Sequence, residues 1–455
     1  MVTSTPFSSS SQVYEWAYSF INVERGQNLR SFCLDRTIAL AEMSGNPEKC
    51  APSFHIAGSK GKGSVTGMIS SILETAGKKT ALYSSPHIID FRERITAGHE
   101  FFDEKIYVSA ANELKKTVEA IPFSPHAALF DPKTDNGQEP SFFELMTLWF
   151  FLCARLAGSE VMTVETGMGG RLDSTNIVDP LVSIITRIEL EHTDFLGKTI
   201  TAIAGEKAGI IKASRPLILA EQTGEALKVF REHVEAKNCP LYYFPDCAEI
   251  SNVRLSREGT YFSLHIGFDN FNEFFVPVPG EVQAENAGLA ILAIRTAYPE
   301  ISAETIREGL SKFTLPARFE RISDKPVVIV DGAHTPRSIE KSLKTFAALY
   351  GQGAILLFGC AEGKDVDTMA KLCLPCFSRI IITTPGTFKK SYPEETYKVF
   401  QQEAEDLKTV PEILFIPDTV KAIDQALSLA AKYDLPVLAA GSFYLAAEVR
   451  KMIKI

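Results

Sequence analysis

The sequence predicts an α/β protein: a large, mostly parallel sheet covered by helices, followed by a second, smaller doubly wound domain. Three observations lead there. Apolar, β-branched runs alternate with helical patterns over most of the length, the mark of strands joined by covering helices. The alternation restarts cleanly after Pro316, where each new apolar run precedes a helical segment. A glycine-rich loop, "GSKGKGS", stands between the first clear strand and the first clear helix, where α/β sheets hold their ligands.

Taken in order, the start "MVTSTPFSSSSQ" lacks the basic and apolar pattern of a signal peptide and reads as a short frayed tail. Ser53 to Ala57 reads as a strand, and Ser64 to Ala76 as a helix stopped by Gly77. "TALYS", "EVMTVE", "LVSIIT" and "PLILA" read as further strands. "EALKVFREHVEAKN" and "EVQAENAGLAILAIRTAY" read as helices. The polar stretch 131–140, "DPKTDNGQEP", is an exposed loop. Between about 241 and 280, "LYYFP", "YFSLHI" and "EFFVPV" suggest an antiparallel patch. Then "PVVIVDGAH", "AILLFGCA", "RIIITTPG", "ILFIPD" and "LPVLAAGS" are the strands of the second domain. The boundary falls near "SKFTLPARFE", which divides the chain into 1–316 and 317–455.

The 455 residues suffice for two or three domains with real cores. A net charge of −9 argues against nucleic acid or an anionic membrane as partner. No apolar run approaches the ~20 residues of a membrane span. The eight cysteines are scattered, which fits a reducing cytoplasm better than a disulfide framework. "CLPC", Cys373 to Cys376, has redox or metal spacing, but no second Cys or His pair lies near it in sequence. Both are read as packing cysteines.

Glycines in "GSKGKGS" let backbone N–H groups surround an anion, and the helix start adds positive potential. Lys62 would reach outer phosphates, with Ser64 near the phosphates or their metal; the competing reading is a glycine-rich turn before a solvated lysine. A nucleoside triphosphate fits this compact relative of the P-loop. Glu165 ends one strand, His192 follows another and Ser85 a third. All three are positions that face the ligand crevice of an α/β sheet. Oxygen donors beside phosphates suit Mg²⁺. On the residues alone His192 stays open between metal ligand, helix cap and substrate contact. Lys207, on a helix, is by composition a solvated lysine or a partner of Glu206.

These segments resemble the folate branch of the Mur-type ATP-dependent ligases, the dihydrofolate and folylpolyglutamate synthases. The resemblance rests on "GSKGKGSV", "YSSPHI...FRERI", "PSFFELMT", "ETGMGGRLDSTN", "EHTDFLGKTI...IAGEKAGIIK", "LPARFE", "VDGAH" and "GSFYL", in the family's order. "LRSFCLDRTIALAEMSGNPE" is similar to its folate-proximal N-terminal segment. The resemblance implies a Mur-ligase-like fold and ATP-driven amide formation between L-glutamate and a folate or dihydropteroate carboxylate through an acyl phosphate. It implies that Lys60, Gly61, Lys62, Gly63 and Ser64 cradle ATP, and that Ser85, Glu165 and His192 hold Mg²⁺. Lys207 would be carried as a carbamate. Asn286, Arg318 and Asp331 would contact ATP, and His334 would belong to the same "DGAH" motif. The partners implied are small molecules only; the sequence is silent on oligomeric state, for which a monomer is the default expectation, in the cytoplasm that the cysteines suggest. Ser59 and Lys60 stand where many bacterial members show Thr and Asn, and Thr335 where Asn is usual. A peptidoglycan Mur ligase shares the architecture but takes a nucleotide-sugar peptide. A non-catalytic nucleotide-binding protein would not need Lys62, Ser85, Glu165, His192 and Lys207 together.

Overall fold

The computed structural model describes all residues except 1–4, 28, 30, 31, 135, 136, 268, 387, 388, 406–410 and 455. The first four residues of the expected tail, Arg30 and Ser31 of the N-terminal segment, and Asp135 and Asn136 of the polar loop lie outside the described residues. The rest of the tail differs from expectation. Ser10–Tyr18 is a helix capped by Ser9. Asn112 accepts from Phe7 N at 2.8 Å, and Glu104 accepts from Ser10 N at 2.6 Å. The anchors sit about 100 residues downstream, where sequence periodicity has no reach.

The chain forms two compact units, 1–251 with 263–274 and 285–313, and 252–262 with 275–284 and 314–455. The first carries an eight-stranded sheet. Its strands are β1 (Ser53–Ala57), β2 (Thr80–Tyr83), β3 (Ile95–Ala97), β4 (Glu100–Phe101), β5 (Val161–Glu165), β6 (Val182–Ile185), β7 (Leu217–Leu219) and β8 (Leu241–Tyr243). Their order is β4-β3-β2-β5-β1-β6-β7-β8. From β2 to β8 neighbours are parallel; β3 and β4 are antiparallel. β1 and β5 are buried at every residue, as strands covered on both faces must be. "LYYFP" was expected in the antiparallel patch but supplies β8, the parallel edge. The 14-residue helix Gly224–Lys237 before it is the crossover that a parallel neighbour needs.

One helix in this unit, Phe142–Ala157, is buried on nearly all sides, so both ends are specified by side chains or glycine. Ser141 and Glu144 form a reciprocal capping box, and Gly158 closes the other end at φ 65°. Glu144 also accepts from Arg36 Nε at 3.0 Å, a fully buried pair. Trp149 donates to Tyr107 O at 2.9 Å. Truncating this buried indole to Ala costs about 3–5 kcal/mol.

Strands β9 (Ala248–Leu255), β10 (Thr260–Ile266) and β11 (Asp269–Val276) form a three-stranded sheet in consecutive order. Links this short exclude a parallel crossover, so this part of the patch is antiparallel as expected.

The second unit carries β12 (Glu320–Asp324), β13 (Val327–Val330), β14 (Ala354–Phe358), β15 (Phe377–Ile382), β16 (Glu412–Phe415) and β17 (Val437–Ala440). The order is β12-β13-β17-β14-β15-β16. All five expected runs are strands, mutually parallel, and β12 is an antiparallel edge. Cys373 is buried in this unit's apolar core and Cys376 packs against it. All eight cysteines are free. Among the described residues no helix is long and apolar enough to cross a membrane.

Candidate active site

β1 lies between β5 and β6, so the chain passes to opposite sides of it at a topological switch point. β2, β5, β1 and β6 are parallel, with Tyr83 beside Val164, Ile56 beside Glu165 and Ala57 beside Ile185. Their carboxyl ends therefore deliver Ser85, Glu165, the loop from Gly58 and the segment 186–192 to one edge.

The glycines of the loop are there because other groups fill the space. A Cβ on Gly58, at φ 144°, would overlap the Thr186 hydroxyl, and one on Gly61, at φ 89°, would overlap the Asn286 carboxamide. A Cβ on Gly63 would stand 3.4 Å from Glu165 Oε2. The loop thus threads between Thr186, Asn286 and Glu165 before opening the helix Lys62–Thr75. The helix starts two residues earlier than expected, because Gly61 in the left-handed region serves as its cap. No side chain caps its first amides, which leaves their N–H groups and the dipole for an anion. Ser59 fixes the loop from the other side: its Oγ donates to Glu189 O and accepts from Glu189 N, both at 3.0 Å.

Two lysines meet on one carbonyl. Lys62 Nζ donates to Gly58 O at 3.1 Å and Lys207 Nζ donates to the same oxygen at 2.8 Å. Lys207 is only 1% exposed, and its second partner is Glu191 Oε1 at 3.0 Å. The expected alternatives, a solvated lysine or a Glu206 pair, are both replaced: Glu206 instead accepts from Arg171 at 2.7 Å. Burial lowers the Lys207 amine to about 8, with Glu191 opposing and Lys62 adding to the shift. Burial pushes the Glu191 carboxyl up, but the ammonium groups of Lys62 and Lys207 overcome it and hold it below the usual range.

Glu165 is buried at its strand end, with Oε2 3.4 Å from Ser85 N. His192 has φ 48° and ψ 39°, an uncommon conformation for a residue with a Cβ. Its carbonyl accepts from Phe195 N and Leu196 N, so it caps Thr193–Leu196 through the backbone and its imidazole makes no cap bond. Burial lowers the imidazole's pKa, favouring the neutral ring that a metal ligand requires. Among the described residues no group of three or more His, Cys, Asp or Glu side chains is placed to hold a metal ion by itself. Two or three donors on an open edge are what Mg²⁺ accepts, since it takes its remaining ligands from water and phosphate. The Glu165 carboxylate and a neutral His192 ring are donors of a kind that such an ion takes.

A network that the sequence reading missed supports this edge. Buried Asp173 accepts from Met168 N at 2.9 Å, Thr175 N at 3.0 Å and Thr175 Oγ1 at 2.5 Å. The same hydroxyl lies 2.9 Å from His55 Nε2 in the middle of β1. "GRLDSTN" is therefore a loop pinned to β1 by polar bonds inside the core. Burial lowers His55 to about 3, so its ring is neutral. The signal was an interior His on an otherwise apolar strand.

In the second unit, β13 and β17 are neighbours and end together. Asp331 N donates to Ala439 O at 2.9 Å, and Asp331 Oδ1 accepts from Ala333 N at 3.0 Å. Burial pushes the Asp331 carboxyl up, against the pull of Arg318. His334 Nδ1 is 2.7 Å from Gly332 O. A carbonyl only accepts, so Nδ1 carries a proton.

The family models that match are the Mur ligase middle domain, over 133–294, and the Mur ligase glutamate ligase domain, over 317–443. The dihydrofolate synthase/folylpolyglutamate synthase of Bacillus subtilis is 33% identical, covering 92% of this chain and 95% of that protein. The folylpolyglutamate synthase of Lacticaseibacillus casei is 31% identical over 92% of this chain and 94% of its own. Mycobacterium tuberculosis folylpolyglutamate synthase complexed with ADP and AMPPCP superposes with a TM-score of 0.86, at 26% identity and 98% coverage of both chains. An FPGS–AMPPCP–folate complex gives 0.80 at 28% identity, with 98% of this chain and 99% of that one covered.

Proposed function

The chain belongs to the folylpolyglutamate and dihydrofolate synthase family of Mur-type ATP-dependent ligases, and we propose that its first-unit strand edge carries phosphoryl transfer from ATP to a folate or dihydropteroate carboxylate, which L-glutamate then converts to an amide. The observation that carries this reading is the convergence of Lys62, Lys207, Glu165 and an uncapped helix start on one edge of the sheet.

A carboxylate is a poor electrophile toward an amine. Its oxygen attacks the γ-phosphorus, the bond to ADP breaks, and an acyl phosphate results. The glutamate amine then adds to the carbonyl carbon, loses a proton, and inorganic phosphate leaves. Lys62 leaves Gly58 O to neutralise charge on the transferred group, and the loop from Lys60 to Ser64 orients the phosphates through its amides. Asn286 contacts the adenine side. From the 317–455 half, Arg318 and Asp331 contact ATP and His334 lies with them. Glu165, His192 and Ser85 would hold Mg²⁺, which would supply positive charge to the phosphates.

Lys207 is carried as a carbamate. Its amine, lowered to about 8, is partly neutral near physiological pH, and only a neutral amine adds to CO₂, releasing one proton. The product is an anion, so the Glu191 contact described above belongs to the unmodified lysine. With its free cysteines and ATP dependence, the protein works in the cytoplasm, as a monomer on small molecules.

The test is product mass after incubation with Mg·ATP, L-glutamate and one acceptor at a time: dihydropteroate, tetrahydrofolate or a nucleotide-sugar peptide. The expected product is the pterin acceptor plus one glutamyl unit. Turnover with the nucleotide-sugar peptide alone would overturn the folate reading.

A further inference from the structure

One quoted motif, "GSFYL", has no part in the chemistry above, yet its Phe443 stands at the centre of the second unit's strand edge. The Arg318 guanidinium lies over the Phe443 ring, 3.9 Å from its centroid. The His334 imidazole meets the same ring with centroids 5.6 Å apart and planes 62° apart. Gly332, between Asp331 and His334, is open for this ring: a Cβ there would overlap it. The motifs "LPARFE", "VDGAH" and "GSFYL", far apart in sequence, thus converge on one aromatic side chain.

The backbone around Arg318 is specified with equal care. Ala317 has φ 54° and Phe319 φ 46°, so two residues with a Cβ take the left-handed conformation on either side of it. Such conformations are costly and persist where the surroundings over-determine them. Here Gly332 N donates to Ala317 O and Ala317 N donates to Glu320 Oε2, both at 2.9 Å. Gly441 N in turn donates to Ala333 O at 2.8 Å. The three segments are tied to one another by backbone bonds, and the ring fills the place where their side chains meet.

We infer that Phe443 is a positioning residue: its ring presets the guanidinium of Arg318 before substrate arrives. A guanidinium stacked on an aromatic face keeps its in-plane N–H fork directed outward for an anionic oxygen. Holding it there removes the rotamer entropy that a free arginine would lose on binding. This rests on the proposed role of Arg318 toward ATP, and the experiment separates the two.

The experiment is a double-mutant cycle on the full chain, reading kcat/KM for Mg·ATP and the melting temperature. Phe443→Leu should lower kcat/KM about tenfold, the size of a partly desolvated cation–π contact, with melting little changed. Phe443→Tyr keeps the ring and should restore near-normal rates. In an Arg318→Ala background, Phe443→Leu should add little, because the residue it positions is gone. An equal loss in both backgrounds would make Phe443 a packing residue only and overturn the inference. If Arg318→Ala is impaired and Phe443→Leu is not, the inference falls and the reading of Arg318 stands. If Arg318→Ala is silent, that reading fails, and any loss in Phe443→Leu is then not exerted through Arg318. Should Phe443→Leu melt early, Phe443→Met supplies a longer, more adaptable non-aromatic side chain for the same cycle.

Discussion

The two strand edges solve the same problem by different means. In the first unit the carboxyl ends of β1, β2, β5 and β6 are crowded with charge. Lys62 and Lys207 share the Gly58 carbonyl, and Glu191 balances Lys207. In the second unit the ends of β13 and β17 carry few charges, fixed by an aromatic ring and by left-handed backbone. The first edge is held by partners that must change when a ligand binds; the second is held by contacts that need not. The difference predicts large, charge-specific losses at the first edge and smaller losses of order at the second.

The largest effect is expected at Lys62. Lys62→Ala removes a donor aimed at the transferred phosphoryl group and should lower kcat about 10²–10³-fold. The side chain gives up its bond to Gly58 O and its attraction to Glu191, both at the open strand edge, so melting should shift little. Near-normal turnover with ATP would remove the phosphate-loop assignment and with it the contrast between the edges.

Next comes Lys207. Lys207→Ala should be slower by about 10–100-fold, the range for groups that tune a metal site, and acetate should restore part of the rate by filling the vacated space. Glu165→Ala should not respond to acetate in this way. An independent readout is the carbamate itself, seen with ¹³C-bicarbonate by NMR. The amine sits at about 8, so it is mostly ammonium below that pH and mostly free amine above it. At fixed dissolved CO₂ the signal should grow from pH 7 to 9 and vanish in Lys207→Ala. Full activity of Lys207→Ala without additive would eliminate the carbamate role.

These expectations show how far the sequence reaches. "GSKGKGS" announced a strand, a phosphate-type loop and a helix because glycine spacing and apolar runs are local signals. Glu165 was legible because it ends an apolar run. What sat beside Lys207 was not: Glu206 is its sequence neighbour, but a helix turns successive residues to different faces, and the partner came from the loop after β6. Glu191 lay unread beside His192. β8 was misplaced because its half-exposed tyrosines resemble an antiparallel edge, while the crossover helix before it fixes a parallel one. Phe443 was quoted only within "GSFYL" and given no role, since nothing local says that Arg318 will lie across it.

A third effect is on metal dependence. Glu165→Ala and His192→Ala should each raise the Mg²⁺ concentration for half-maximal rate about 10–100-fold. The two should differ in recovery. Excess Mg²⁺ should rescue His192→Ala better, because Glu165 supplies charge and the neutral imidazole does not. An unchanged magnesium titration in both variants would strip the first edge of its metal and leave it a purely cationic site.

The smallest effect belongs to the second edge, at Thr335, which stands where the family usually carries Asn. Thr335 is the cap of the helix Pro336–Tyr350, with Pro336 at its first position. Its side chain accepts from Ser338 N at 3.4 Å, and Ser338 Oγ accepts from Thr335 N at 2.9 Å. Asn also places an acceptor oxygen within reach of that amide, so Thr335→Asn should leave both stability and rate nearly unchanged. Thr335→Ala has no acceptor and should cost about 1 kcal/mol. That loss should appear as faster amide exchange in the first turn of the helix, with kcat close to normal, because the strand-end bonds at Asp331 and Gly441 do not depend on the cap. A large fall in kcat for Thr335→Ala, with exchange unchanged, would mean that the hydroxyl acts on substrate and that the second edge also works through polar groups that engage the ligand.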